Sequence, residues 1–359
     1  MTDRHSGSSG EGADVLAGAR LDHVEFAVRD VRAATASLVD AYGLSLLGEY
    51  SDPSCRSVAL GHDGLRIVLT EGLADDHPAS GYVARHGDGV IDIALRVDDA
   101  RAAYDTALRR GAQRAVPPVE RSGRVRASVV AFGDVVHSFV EYPPGQGWTM
   151  SVGGPPALPA TSGPTGLIGM DHFAVCVATG ELEPLIHHYE SVLGFGKVFE
   201  NRIEVGEQVM NSIVVRNPAG DVTFTILEPH PESSAGQIDD FVKDNDGAGV
   251  QHIALRTDDI VRTVGTLRER GVAFLPTPAA YYDQLPQRLD PVGHSVEELR
   301  EFDILADADH DGMLFQIFAR SVHPRRTYFF EVIERRGART FGAGNIKALY
   351  RAIEAARTG

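Results

Sequence analysis

Apolar and polar positions change period several times along this chain, and the changes recur. LDHVEFAV, from Leu21, alternates like a half-buried strand; an apolar period near four then predicts a helix that ends at Gly43. MDHFAVCV, from Met170, repeats the alternation, and LEPLIHHYESVLGFG repeats the helix. A closer pair is GDGVIDIALRVDDARAAYDTALRRGA from Gly87 and GAGVQHIALRTDDIVRTVGTLRERGV from Gly247. Each of these reads as a strand, then an Asp-capped helix stopped at Arg-Gly. Shorter strand-like runs follow, among them SVVAFG, VHSFVEY, VTFTILEP, MLFQIFA and TYFFEVIE. The unit is strand, helix, about three strands, and it occurs four times. The expected fold is therefore α+β: four βαβββ units paired into two half-open barrels, with the helices outside.

The Pro/Gly stretch from Tyr142 to Gly169 has almost no periodicity and reads as a linker. The expected organisation is a disordered tail over 1–18, an N-terminal structural barrel domain over 19–145 and a linker over 146–166. A C-terminal catalytic barrel domain would follow over 167–344, then a helix over 345–359. That last helix carries Ile346, Leu349, Tyr350 and Ile353 on one side and could close a barrel mouth.

Composition narrows the function. A chain of 359 residues exceeds one ordinary core, and 43% hydrophobic with 23% charged residues excludes a largely disordered polymer. Fifty acidic against 34 basic residues give a formal charge of −16, which argues against nucleic-acid binding. No apolar run has the length of a membrane span, and the Gly/Ser-rich start lacks a signal-peptide pattern, so a cytoplasmic protein is expected. Two cysteines, Cys55 and Cys176, cannot build a thiolate zinc cluster, so any metal must be held by His and carboxylate.

Candidate chemistry appears where the duplicated halves differ. The opening strands share a histidine, at His23 and His172, but the sister strands carry Asp92 in one half and His252 in the other. Glu331 lies inside the apolar run TYFFEVIE, where a carboxylate needs a partner. His172, His252 and Glu331 stand 80 and 79 residues apart, one per repeat unit, as expected of equivalent strand positions converging inside one barrel. Two imidazoles and one carboxylate on one face suit non-haem Fe(II) oxygen chemistry, with zinc as the competing metal. His23 and Asp92 read as a vestigial pair without a clear third ligand. His187, His188, His294, His310 and His323 are weaker candidates.

At these residues the sequence resembles the 4-hydroxyphenylpyruvate dioxygenase family of the vicinal-oxygen-chelate fold group. The motifs that carry the resemblance are GMDHFAV at Gly169, GAGVQHIAL at Gly247, LFQIF at Leu314, FFEVIER at Phe329 and FGAGNIKALY at Phe341. The resemblance implies Fe2+ held by His172, His252 and Glu331, with no further catalytic side chain. It implies 4-hydroxyphenylpyruvate and O2 as reactants, and no separate 2-oxoglutarate. It places Ser212, Gln237, Gln251, Gln316 and Asn345 at polar pocket positions, Phe318, Phe329 and Phe341 on aromatic walls, and Ile346 and Leu349 on a C-terminal lid helix. Strand alternation would turn Gln251 away from the site unless the strand bulges.

Two motifs depart from the dioxygenase pattern. Gly344, Asn345 and Ile346 stand where GNF is usual, and Thr225, Ile226, Leu227, Glu228 and Pro229 stand where PINEP is usual. A lost ring and a lost amide both resemble the branch that hydroxylates the benzylic carbon to give 4-hydroxymandelate and CO2, a supply of hydroxyphenylglycine for peptide antibiotics. The main alternative is homogentisate formation in tyrosine catabolism. A homodimer is expected, associating through the first half.

Overall fold

The computed structural model describes residues 14–62, 64–121, 123–149, 165–289 and 292–340, together with Asn345 and Ala348. The first half runs β1 (Arg20–Ala27), α1 (Val31–Tyr42), β2 (Ser45–Ser51), β3 (Cys55–His62), β4 (Leu65–Gly72), α2 (Pro78–His86), β5 (Gly89–Arg96), α3 (Ala100–Arg109), β6 (Arg114–Arg121), β7 (Arg124–Phe132) and β8 (Val135–Glu141). The second half runs β9 (Leu167–Cys176), α4 (Leu182–Ser191), β10 (Gly196–Val205), β11 (Gln208–Arg216), β12 (Thr223–Pro229), α5 (Gln237–Asp244), β13 (Gly249–Thr257) and α6 (Ile260–Glu269). It ends with α7 (Ala279–Arg288), α8 (Val296–Glu301), β14 (Leu305–Ala308), β15 (Met313–Phe318) and β16 (Phe329–Arg336).

The four βαβββ units are present and pair into two eight-stranded half-open barrels. The strand orders match position for position: β2-β3-β4-β1-β5-β8-β7-β6 and β10-β11-β12-β9-β13-β16-β15-β14. Three of the four unit helices start where the sequence supplies a cap; α4 follows Glu181 with no side-chain cap. Asp30, Asp99 and Asp259 each accept N–H groups from the first turn of α1, α3 and α6. Gly43, at φ 67°, turns the chain out of α1. Four further helices were not anticipated. α2 and α5 close the first and third units, and α7 and α8 form an insertion in the fourth unit alone. Their patterns are short, and α7 carries an internal proline, Pro286.

One apolar core runs through both halves, from Val24 and Phe139 to Phe173 and Phe315. Tyr42 packs on Phe330 with ring centres 5.0 Å apart, and Phe26 packs on Tyr328 at 5.4 Å. The halves approach so closely that a side chain on Gly133 would meet the Ala248 carbonyl at 2.5 Å. Across this joint the imidazole of His137 meets the Ile93 carbonyl and the Tyr189 hydroxyl at 2.9 and 3.0 Å.

Part of the span expected as a tail is ordered. Residues 14–18 form a turn that buries Leu16 in the core, and Asp14 pairs with Arg110 at 3.0 Å. A single apolar side chain supplies the anchor, too little for periodicity to register. Residues 1–13, and all but Thr165 and Gly166 of the span 150–166, lie outside the described residues. So does the helix expected over 345–359, except at Asn345 and Ala348, which are helical. Among the described residues no helix is long and apolar enough to cross a membrane.

Burial holds His137 neutral, its pKa pushed down to about 4. An unfolded histidine protonates below about 6.5, so the folded state loses stability as pH falls from that value toward the folded pKa. Urea unfolding at pH 7 and pH 4.5 should show His137→Gln losing about 2 kcal/mol less than wild type over that interval. Equal acid losses in the two proteins would refute this.

Candidate metal centre

The site is built on the three central strands of the second barrel. β9 pairs antiparallel with β13, placing His172 opposite Ala254 and His252 opposite Ala174. β16 pairs parallel with β13, placing Glu331 opposite Ala254 and Phe329 opposite His252. His172 and Glu331 therefore flank Ala254 from either side, with His252 two residues before it on the same strand. All three are buried, and their ligating atoms lie within 4.8 Å of one another.

Glu331 Oε2 stands 3.5 Å from His172 Nε2 and 3.3 Å from His252 Nε2, too long for strong hydrogen bonds, and it has no hydrogen-bond partner. The remaining polar atom of each ligand is fixed from behind. His172 Nδ1 faces Asp171 Oδ1 at 2.9 Å, and His252 Nδ1 faces Gln251 Oε1 at 3.2 Å. Gln316 Nε2 donates to Glu331 Oε1 at 2.7 Å. With Nδ1 donating, each Nε2 carries a lone pair, and two such pairs meet an orphaned carboxylate oxygen in a dry space. That donor set fits a divalent cation of the iron or zinc type.

The electrostatics agree. Burial alone would raise Glu331, but the His172 and His252 imidazoles beside it hold its pKa down to about 2. Burial lowers His172, and the Glu331 and Asp171 carboxylates outweigh it, so its pKa is raised. Burial dominates at His252, whose pKa is lowered.

Both histidines depend on bulges. The β9–β13 register slips at Asp171 and at Gln251, one residue before each histidine. The slip brings Gln251 to the same side as His252, which simple alternation forbids. It does the same for Asp171, which sequence reasoning left out of the site although the Asp-His pair recurs at Asp22–His23. Arg335 grips Asp171 through Nε and Nη2 at 2.8 and 2.9 Å. A cleft of about 610 Å³ between the halves touches the triad through Asp171 alone.

The expected pocket residues fall into two groups. His252 stacks on Phe329, with ring centres 5.1 Å apart, and meets the edge of Phe318 at 5.9 Å. Phe318, Phe329 and Leu305 form one apolar cluster, against which Tyr281 and Ala348 pack. On the opposite strands Leu227 packs with Ala174, Cys176, Ile203, Met210, Ile238 and Phe241. Ser212 and Thr225 are buried beside it, and their hydroxyl oxygens have no hydrogen-bond partner. Gln237, also buried, opens α5. Gln316 is not free for substrate: it donates to Glu331 and accepts from Asn345 Nδ2 at 2.9 Å. Phe341, Ile346 and Leu349 lie outside the described residues. Sequence reasoning also missed Tyr281, because α7 has no counterpart in the other units.

The first barrel holds the sister positions in altered form. His23, Glu25 and Asp92 cluster there, and Ser138 stands where the strand register puts Glu331. Arg126 occupies the position of Gln316 and bridges Glu25 and Asp92 at 3.1 and 2.7 Å, so a guanidinium supplies the positive charge. Another cluster, Asp309, His310 and Asp311, is partly exposed, and Asp309 is taken up by the backbone N–H groups of Arg339 and Thr340.

Comparisons with known proteins agree with this geometry. Residues 22–127 and 169–298 each match models of the glyoxalase/bleomycin resistance protein/dioxygenase superfamily. The chain is 33% identical to a 4-hydroxyphenylpyruvate dioxygenase of Dictyostelium discoideum, covering 93% of this chain and 97% of that protein. It is 33% identical to the Danio rerio 4-hydroxyphenylpyruvate dioxygenase, covering 92% and 89%. A variant of 4-hydroxymandelate synthase from Streptomyces coelicolor superposes with a TM-score of 0.84 at 41% identity, covering 94% of this chain and 99% of that one.

Replacing His172, His252 or Glu331 singly with Ala should reduce bound Fe(II) or Co(II) from one per chain to almost none by elemental analysis. Circular dichroism should remain that of the folded protein. Full metal content in any of the three variants would remove that residue from the centre.

Proposed function

This chain belongs to the 4-hydroxyphenylpyruvate dioxygenase family, and we propose that it converts 4-hydroxyphenylpyruvate and O2 to 4-hydroxymandelate and CO2. The observation that carries the metal part of this reading is the orphaned Glu331 Oε2 between two Nε2 atoms. Ferrous iron bound by His172, His252 and Glu331 would supply the redox chemistry that lets dioxygen react with a 2-oxo acid. One dioxygen atom ends in the new carboxylate and the other on the benzylic carbon, so no further reductant is needed.

The protein's part is to hold and orient. Asp171, Gln251 and Gln316 keep the three ligand atoms aimed at one point, so little rearrangement is needed when the cation binds. Phe318 and Phe329 shield the His252 side from water. The Ser212 and Thr225 hydroxyls offer unspent hydrogen bonds to a polar ring substituent.

The product assignment rests on Leu227. Its side chain belongs to an apolar cluster, so position 227 offers no amide with which to fix the ring. A ring free to shift can bring the benzylic carbon, rather than a ring carbon, to the reactive position. Ile346, outside the described residues, adds the same argument from sequence. 4-Hydroxymandelate made here would feed hydroxyphenylglycine for peptide antibiotics.

Incubation with Fe(II), ascorbate, O2 and 4-hydroxyphenylpyruvate, followed by chromatography of the acids, tests the assignment. The expected product is 4-hydroxymandelate; homogentisate, which has the same formula, would overturn the product assignment and leave the metal centre standing. Leu227→Asn should lower kcat/KM for hydroxymandelate formation by roughly tenfold. An unchanged value would show that this wall does not direct the outcome.

A further inference from the structure

We propose that Tyr281 and Arg335 are positioning residues: Tyr281 fastens Asn345 to the ligand Glu331, and Arg335 fastens the backbone of residues 338–340 to the ligand His172. This rests on the metal centre proposed above. The inference starts from the polarity of a hydrogen-bond chain. Glu331 Oε1 is a carboxylate oxygen, so Gln316 must turn its Nε2 toward it, at 2.7 Å. That leaves Gln316 Oε1 needing a donor, which Asn345 Nδ2 supplies at 2.9 Å. Asn345 Oδ1 then needs a donor in turn, and the Tyr281 hydroxyl stands 3.3 Å away. Neither amide can flip without setting oxygen against oxygen. The chain thus has one direction, dictated by the carboxylate, and it ends on a hydroxyl that can donate.

Tyr281 is itself held. Its hydroxyl accepts the Ala306 N–H at 2.8 Å and shares its proton between the Ala306 carbonyl, also at 2.8 Å, and Asn345. Asn345 is anchored further by its own N–H, which donates to Asp307 Oδ2 at 3.0 Å. The insertion that carries α7 occurs in the fourth unit alone, so the first barrel has no counterpart of Tyr281.

The backbone of residues 338–340 is tied through Arg335. Two of its nitrogens hold Asp171, whose Oδ1 also meets His172 Nδ1, while Nη1 donates to the carbonyls of Thr340 at 2.8 Å and Ala338 at 3.4 Å. One guanidinium therefore sets both the orientation of His172 and the path of the backbone beyond β16. Asp309 completes the anchorage by accepting the N–H groups of Arg339 and Thr340 at 2.8 Å each. A cation that fixes Glu331 and His172 consequently fixes both attachments, at Asn345 and at the backbone of residues 338–340.

The test uses the full-length chain, Co(II) titration and hydrogen exchange at the Arg339, Thr340 and Asn345 amides. Wild type should bind one Co(II), with slower exchange at all three amides when loaded. Tyr281→Phe should weaken Co(II) binding by roughly tenfold and lose the metal-dependent slowing at Asn345. Arg335→Lys keeps a charge on Asp171 but loses the fork, so Co(II) affinity should fall by roughly tenfold and the slowing at Thr340 should disappear while that at Asn345 persists. Tyr50→Phe, remote from the site, should behave as wild type. If wild type binds Co(II) but Tyr281→Phe matches it in affinity and exchange, the fastening is overturned and the metal centre stands. If wild type binds no Co(II), the metal reading fails and the fastening falls with it.

Discussion

The site depends on the antiparallel pairing of β9 with β13 and on the bulge that each strand carries just ahead of its histidine. A regular ladder would send Asp171 and Gln251 to the face opposite the imidazoles. Each bulge puts a polar acceptor beside the following Nδ1, so the element that delivers the ligand also fixes its tautomer. Ala254 completes the constraint. It sits between His172 and Glu331 in the strand register, so one position of β13 aligns both flanking strands.

The same device in the first barrel shows that the geometry is older than its use in either half. Asp22 is bulged before His23 and holds its Nδ1 at 2.7 Å, and Ala94 stands opposite His23 as Ala254 stands opposite His172. What differs is the charge placed inside. Arg126, Glu25 and Asp92 form a closed ion cluster, with burial pushing Asp92 up against the pull of Arg126. An internal guanidinium leaves no need for an external cation. The duplication therefore kept the strand register and exchanged the source of positive charge.

Those facts explain what was legible in the sequence. His172, His252 and Glu331 could be found because equivalent positions in a repeat recur at near-equal intervals, and the four units could be found because periodicity survives divergence. Gln251 was legible only as a contradiction, since alternation turned it away and nothing local announces a bulge. Asp171 had a signal, the Asp-His pair at the start of both halves, but its meaning depends on a hydrogen bond that the sequence does not display. Tyr281 had none: it lies in an insertion with no sister unit and touches the centre through two amides. Leu16 was lost for a similar reason, because one anchoring side chain in a polar tail has no period.

Charge is also distributed unevenly around the site. On the reading proposed here, a ferrous ion with two neutral imidazoles and one carboxylate leaves a net positive charge at one end of the barrel. The far wall is neutral: Leu227 within an apolar cluster, flanked by the Ser212 and Thr225 hydroxyls. An anionic 2-oxo acid is therefore drawn in head first despite a chain charge of −16, because burial strengthens the local field relative to distant, solvent-screened carboxylates. Its ring would meet a surface that can shape it and bond its tip but offers no amide at position 227. On the same reading the metal end would fix which carbons come near and the neutral end how far the ring advances, so selectivity would belong to the wall least involved in the chemistry.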